Sequence, residues 1–328
     1  MSARPGSRAA RGDLRTLARG WRWTHRPLVP RDAQASTPVA DRREFPTGWA
    51  RSGPARAVRE VVIRAGLDPL VRAEVQPVVT GLDVLDGLRP PVIFVANHAS
   101  HLDTALLLCA LPADWRRRTA VAAAADYFFD VWWRAVGSAL VFNTFPLERR
   151  GAAGAGTGAG AGAGAAIGAG TGTGATAAAR LLARGWNVVV FPEGTRSADG
   201  WTGRVRPGAA YLAAGAGVPI VPVAIRGSYA AMPRGRSWPV PGRPPVHLRF
   251  GPPLHPAGGE SPRELGGRMR TALARLLDED ATSWWAAAQR SAAGTTPASS
   301  GPDAAPWRRR WASSAPPTVA GSRRRVWR

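Results

Sequence analysis

Two short apolar runs that read as buried strands, Pro91–Ala96 and Asn187–Val190, each open into a polar turn dense with reactive side chains. The first turn is Asn97-His98-Ala99-Ser100-His101-Leu102-Asp103, and the second is Phe191-Pro192-Glu193-Gly194-Thr195-Arg196-Ser197. Short continuous apolar runs bounded by turn signals suit strands covered on both faces, which occur in sheets flanked by helices. In open α/β sheets, ligands collect beyond the carboxyl ends of the strands. The pattern therefore predicts an α/β fold whose chemistry sits where these two strands end.

The residue types fit that placement. His98 and Asp103 are five positions apart, which on a regular helix leaves them about 140° apart around the axis. His98 is therefore expected in the strand-to-helix turn, with Asp103 in the first helical turns reaching back to it. A carboxylate bonded to one imidazole nitrogen fixes the tautomer and raises the basicity of the other, the arrangement used to activate a hydroxyl. In the second turn Pro192 breaks the strand, Gly194 permits close backbone approach, and Arg196 presents a planar fork suited to phosphate. A tight turn closed by a surface Glu193–Arg196 ion pair is the competing reading. His101 is expected on a helix surface or in packing, and Ser100 at the cap of the turn.

Both turns resemble the signatures of the glycerolipid acyltransferase family, N-H-x-x-x-x-D and F-P-E-G-T-R-S. Phe142-Asn143-Thr144-Phe145-Pro146-Leu147-Glu148-Arg149 resembles the family's middle motif, and Val218-Pro219-Ile220-Val221-Pro222-Val223 its fourth. Arg206-Pro207-Gly208-Ala209-Ala210 is similar to the segment that precedes the latter. The resemblance covers about Val78 to Asp278. It implies a single mixed β-sheet flanked by helices and a 1-acylglycerol-3-phosphate O-acyltransferase, which moves an acyl group from acyl-CoA or acyl-ACP to lysophosphatidic acid. By the same resemblance His98 is the base and Asp103 its orienting partner. Arg149 and Arg196 hold phosphate, with Arg206 as an addition and Arg150 as a substitute for Arg149. Glu193, Gly194 and Thr195 belong to the acceptor site. It implies no metal and no bound cofactor. Acyl-CoA or acyl carrier protein is then a co-substrate. Another lysolipid acceptor, or a non-catalytic membrane- or nucleic-acid-binding protein, are the alternatives.

Charge divides the chain. All 44 basic side chains are Arg, and the net charge is +22. Arg, Ala, Gly and Pro share GC-rich codons, so part of this bias reflects genome composition. Residues 1–59 hold 13 Arg against 4 acids, and residues 286–328 hold 8 against 1. Both segments lack sustained periodicity, so basic disordered tails are expected at 1–54 and 286–328, around a domain at 55–285. Gly151 to Ala175, almost entirely Gly, Ala and Thr, reads as a low-complexity insertion. The Arg-rich tails with scattered Trp point to an anionic membrane surface as partner. No nucleic-acid motif accompanies the charge, which argues against nucleic acid. A lone Cys109 in an apolar run is expected to be a core thiol in a reducing compartment. The N-terminal residues show no secretory signal, and no apolar stretch is long enough to span a bilayer. A cytoplasmic protein peripheral to the inner face of the cell membrane is the resulting expectation.

Strands are expected at Pro77–Thr80 with Val84, Val92–Ala96, Thr119–Ala122, Leu140–Leu147, Trp186–Phe191, Val218–Ile225 and Val246–Phe250. Helices are expected at Ala55–Ile63, after the first signature, at Ala177–Ala183 and at Pro207–Ala214. A last helix starts at Ser261, with Pro262 at its first position and Glu264 closing a capping box. Trp132-Trp133 suits either core or a lipid-facing patch.

Overall fold

The computed structural model describes residues 47–124, 132–147 and 173–314. Its strands are β1 (Gln76–Thr80), β2 (Ile93–Ala96), β3 (Thr119–Ala124), β4 (Thr144–Leu147), β5 (Asn187–Val190), β6 (Ile220–Arg226) and β7 (Pro245–Phe250). Among the helices are α1 (Gly53–Val62), α2 (Asp68–Glu74), α3 (Leu102–Ala110), α4 (Ala113–Arg117) and α5 (Trp132–Phe142). They continue with α6 (Thr173–Ala183), α7 (Gly208–Ala216), α8 (Ser228–Ala231), α9 (Pro262–Ala281), α10 (Trp284–Ala292) and α11 (Pro306–Ser313).

The strands form one mixed sheet in the order β1-β7-β6-β2-β5-β3-β4. Five of them, β6 through β4, run parallel, and β7 meets β6 antiparallel with β1 parallel at its side. All four residues of β2 and of β5 are buried, as the apolar runs predict. Successive side chains of β2 point to opposite faces. Phe94 and Ala96 join Leu106, Leu107 and Leu108 of α3, with Val221, Leu248 and Phe250. Ile93 and Val95 join Leu181 and Leu182 of α6, Ala209 and Ala213 of α7, and Leu265 and Met269 of α9. Phe94 meets the rings of Trp115 and Phe250 edge to face at 6.2 and 6.3 Å. Such contacts contribute about 0.5–1.5 kcal/mol each beyond burial.

The α9 start is as expected. The Ser261 hydroxyl accepts from the Glu264 N–H, and the Glu264 carboxylate accepts from the Ser261 N–H at 2.8 Å. Elsewhere boundaries differ. Leu140–Phe142 is the last turn of α5, not strand. The helix stops because Asn143 takes a left-handed conformation (φ 51°) and its amide donates to the Thr119 carbonyl. Buried Arg59 donates to the carbonyls of Ala139 and Leu140, satisfying groups that a helix end leaves open. Val84 lies in a 3₁₀ turn rather than beside β1. α6 begins at Thr173, so the last residues assigned to the Gly/Ala insertion are helical; 151–172 lie outside the described residues.

Between residues 286 and 314 the described chain is also folded, within the stretch expected as a structureless tail. Ser283 caps α10 by accepting from the Ala286 N–H, and Arg290 forks onto both oxygens of Asp278 in α9 at 2.8 Å. α11 returns to the loop after the second signature. The Ser283 cap is local, but Arg290–Asp278 and Arg309–Asp199 join side chains 12 and 110 positions apart, so no local periodicity announces them.

Candidate active site

The first signature turn is held from three sides. The Asn97 side chain bonds the Ile225 main chain both ways, donating to its carbonyl at 2.8 Å and accepting from its N–H at 2.7 Å. This ties the end of β2 to the end of β6. The Ser100 hydroxyl donates to the Met232 carbonyl and accepts from the Leu102 N–H, capping the turn.

Asp103, the second residue of α3, is fully buried. Its Oδ2 accepts from the main-chain N–H groups of Ala99 (2.7 Å) and Ser100 (2.8 Å) and lies 2.9 Å from His98 Nδ1. A carboxylate can only accept, so His98 carries its proton on Nδ1 and leaves Nε2 with the lone pair. The His98 imidazole stacks on Phe191 with centroids 4.2 Å apart and 23° between planes. Its side chain keeps 18% exposure, enough for a reactant to reach it.

The second turn is joined to the first by main-chain and carboxylate bonds. Buried Glu193 accepts the His98 N–H on Oε1 at 2.8 Å and the Gly203 N–H on Oε2 at 2.6 Å. The Ser197 N–H donates to the His98 carbonyl at 2.8 Å, and the Arg206 N–H to the Pro192 carbonyl at 3.0 Å. Burial pushes the Glu193 carboxyl up to about 7, against the opposing pull of the two N–H donors. Glu193 is therefore an internal clamp and not half of a surface ion pair.

Gly194 has φ +72°, and a β-carbon there would stand 3.6 Å from the Arg206 guanidinium. The side chain of Arg206 thus lies across the turn, exposed to solvent, as is Thr195, while Arg196 is half-buried. Burial first, then the nearby charges of Arg196 and His98, lower the pKa of His101 to about 4. The imidazole of His101 is neutral at physiological pH. Arg149 and Arg150 lie outside the described residues, and the side chains of Trp132 and Trp133 are not described. The Cys109 thiol packs against the core and is pushed up to about 12 by burial, so it stays protonated.

Phe191, Asn97 and Gly203 have no role in the sequence reading. Asn97 heads the first signature and Phe191 the second, a positional signal that was available; Gly203 had none. Beside Asn97 and Ala99 lies a cavity of about 230 Å³, walled by Ile225, Tyr229, Leu277 and Ala312 among others. Among the described residues no three His, Cys, Asp or Glu side chains converge as a metal site needs, and no helix is long and apolar enough to cross a membrane.

Residues 76–226 match the model of a family described as Acyltransferase. Over 55 residues the chain is 47% identical to chloroplastic 1-acyl-sn-glycerol-3-phosphate acyltransferases of Brassica napus and Arabidopsis thaliana. That stretch is 17% of this chain and spans 16% and 15% of those curated relatives. The crystal structure of the 1-acyl-sn-glycerophosphate acyltransferase PlsC from Thermotoga maritima is similar at a TM-score of 0.49. Sequence identity to it is 24%, with 71% of this chain and 87% of that one covered.

Proposed function

We propose that the chain belongs to the acyltransferase family that its residues 76–226 match, and that it transfers an acyl group from a thioester to the free hydroxyl of 1-acyl-sn-glycerol-3-phosphate. The observation that carries this reading is the His98–Asp103 pair, 2.9 Å apart with Nε2 left free to act as a base, at a strand end beside an arginine-bearing turn. In this mechanism Nε2 takes the hydroxyl proton as the acceptor oxygen attacks the thioester carbonyl. The tetrahedral adduct collapses, the C–S bond breaks, and the imidazolium returns its proton to the departing thiolate. Buried Asp103 stabilises the imidazolium between these steps.

Glu193 serves the acceptor site indirectly, by fixing the main chain of His98 and of the Gly194–Arg196 turn. In this reading Arg196 and Arg206 supply the charge for the acceptor's phosphate, supported by the position of Arg206 against the Gly194 turn, with Gly194 and Thr195 part of the same acceptor site; Arg149 joins them by resemblance alone. The apolar walls of the cavity beside Ala99 suit a hydrocarbon chain. Acyl-CoA and acyl carrier protein are equally suitable donors. Residence at the inner face of the cell membrane belongs to the same proposal, since the acceptor is a lipid.

The test is product identification. Purified protein is incubated with acyl-CoA, or with acyl-ACP, and either lysophosphatidic acid or a monoacylglycerol lacking phosphate. Phosphatidic acid formed from the phosphorylated acceptor, with little acylation of the other, is the expected result. Absence of acylated product from every donor and acceptor combination overturns the proposal. Equal use of both acceptors overturns the phosphate site.

A further inference from the structure

α11 has two faces of opposite character. One is fastened to the loop that follows the second signature. Arg309 pairs with Asp199 at 2.6 Å and donates to the carbonyls of Ser300 and Pro302, and Trp201 Nε1 donates to the Arg309 carbonyl at 3.0 Å. The Ser313 hydroxyl donates to the Asp199 carbonyl. The approach is close enough to require Gly200, where a β-carbon would come within 2.7 Å of both the Ser313 β-carbon and the Tyr229 ring. Residues 309, 312 and 313 are accordingly half-buried.

The other face is open. Trp307 and Trp311, four residues apart and so stacked along one side of the helix, are 67% and 77% exposed. Arg308 and Arg310 flank them, both exposed, with the Arg308 guanidinium 5.7 Å from the Trp307 ring centroid. No acidic residue lies between Ala304 and Ser314, and neither arginine pairs with a carboxylate among the described residues. Exposing two indoles together is unfavourable in water. It is what an interfacial helix does, with rings at headgroup depth and cations toward anionic lipid. Trp284 and Trp285, at the start of α10, are exposed as well.

We infer that the Trp307–Trp311 face of α11, with Arg308 and Arg310, docks this protein on anionic bilayers. The face lies outside the family match at 76–226, and it is mounted by Asp199 and Trp201 on the loop that carries Glu193 and Arg196. Docking through it holds that loop at the surface that supplies a lipid acceptor. The choice of lipid over nucleic acid as partner rests on the proposed function; the face itself does not.

The test uses flotation of the full chain with vesicles of phosphatidylcholine alone or mixed with phosphatidylglycerol. Trp307→Ala/Trp311→Ala is expected to reduce binding to both compositions by about tenfold or more, since each indole prefers the interface. Arg308→Glu/Arg310→Glu is expected to reduce binding to the anionic vesicles by about thirtyfold or more and to flatten its salt dependence. All four side chains are exposed, so the variants keep the fold, which circular dichroism checks. Flotation does not depend on turnover, so its outcome is separate from that of the acyl-transfer assay. Unchanged flotation in both double variants overturns the inference. Unchanged flotation with loss of duplex DNA binding, or with loss of self-association, assigns the face to those partners instead and overturns it equally.

Discussion

Glu193 and His98 stand opposite each other when the register of two neighbouring strands is carried three residues past its last pair. Val95 of β2 pairs with Val190 of β5, and the same offset aligns His98 with Glu193. There the ladder's next bond is made by a carboxylate: Glu193 accepts the His98 N–H at 2.8 Å. The same side chain takes the Gly203 N–H, so one buried group orients the histidine turn and the arginine turn together.

Replacing Glu193 by Gln should expose that dependence. The amide nitrogen would face one of the two main-chain donors, a mismatch costing about 1–3 kcal/mol. Glu193 is held protonated up to about 7 by burial, above its ordinary 4.5, so the folded state binds this proton more tightly than the unfolded chain. Its contribution to stability is therefore lost as pH rises from about 4.5 to 7. Chemical denaturation across that range should show this slope in the wild type and not in Glu193→Gln, with kcat lower by about ten- to a hundredfold from a loosened His98.

Asp103→Asn tests the imidazolium's partner while preserving shape. An amide oxygen can still accept from Ala99, Ser100 and His98, so the turn should keep its form. The charge that stabilises His98 in its protonated state is gone, and kcat should fall by about 10²- to 10⁴-fold with acceptor KM little changed. Steady-state kinetics separates the two parameters, and a wild-type kcat would remove Asp103 from the mechanism.

Arg196→Ala should act on the acceptor instead. Loss of a charge-assisted bond to phosphate is worth about 1.5–3 kcal/mol, or an acceptor KM higher by about ten- to a hundredfold. The donor KM should not move. An unchanged acceptor KM would exclude Arg196 from the phosphate site.

His101 gives a pH signature of opposite sign to that of Glu193. Burial and the nearby Arg196 hold its pKa near 4 when folded, against an ordinary 6.5. Between about 4 and 6.5 the unfolded chain binds the extra proton, so stability falls as pH drops through that window. His101→Gln should reduce this acid sensitivity, read as a smaller shift of the denaturation midpoint between those pH values. Equal shifts in both proteins would show that His101 is not held neutral.

Much of the site is legible in the order of residues alone. β2 and β5 announce themselves as apolar runs because both are covered on both faces, and the polar turns follow from where such runs stop. The reach of Asp103 back to His98 follows from helix geometry. The clamp of Glu193 is not legible, because it depends on the register between strands that lie far apart in sequence. The identity of Leu140–Phe142 as helix is hidden too, since its end is set by the distant carbonyl of Thr119 and by Arg59. The return of α11 is masked by composition: an Arg-, Pro- and Ser-rich stretch reads as a tail until Arg309 finds Asp199.

The measurement that addresses the central claim most directly is thiol release from acyl-CoA by the wild type and by His98→Ala, each with and without lysophosphatidic acid. If His98 is the base, the wild type releases thiol only when the acceptor is present. The folded variant then releases it slower by about 10³-fold or more. Acceptor-dependent release at the wild-type rate from His98→Ala would contradict the account.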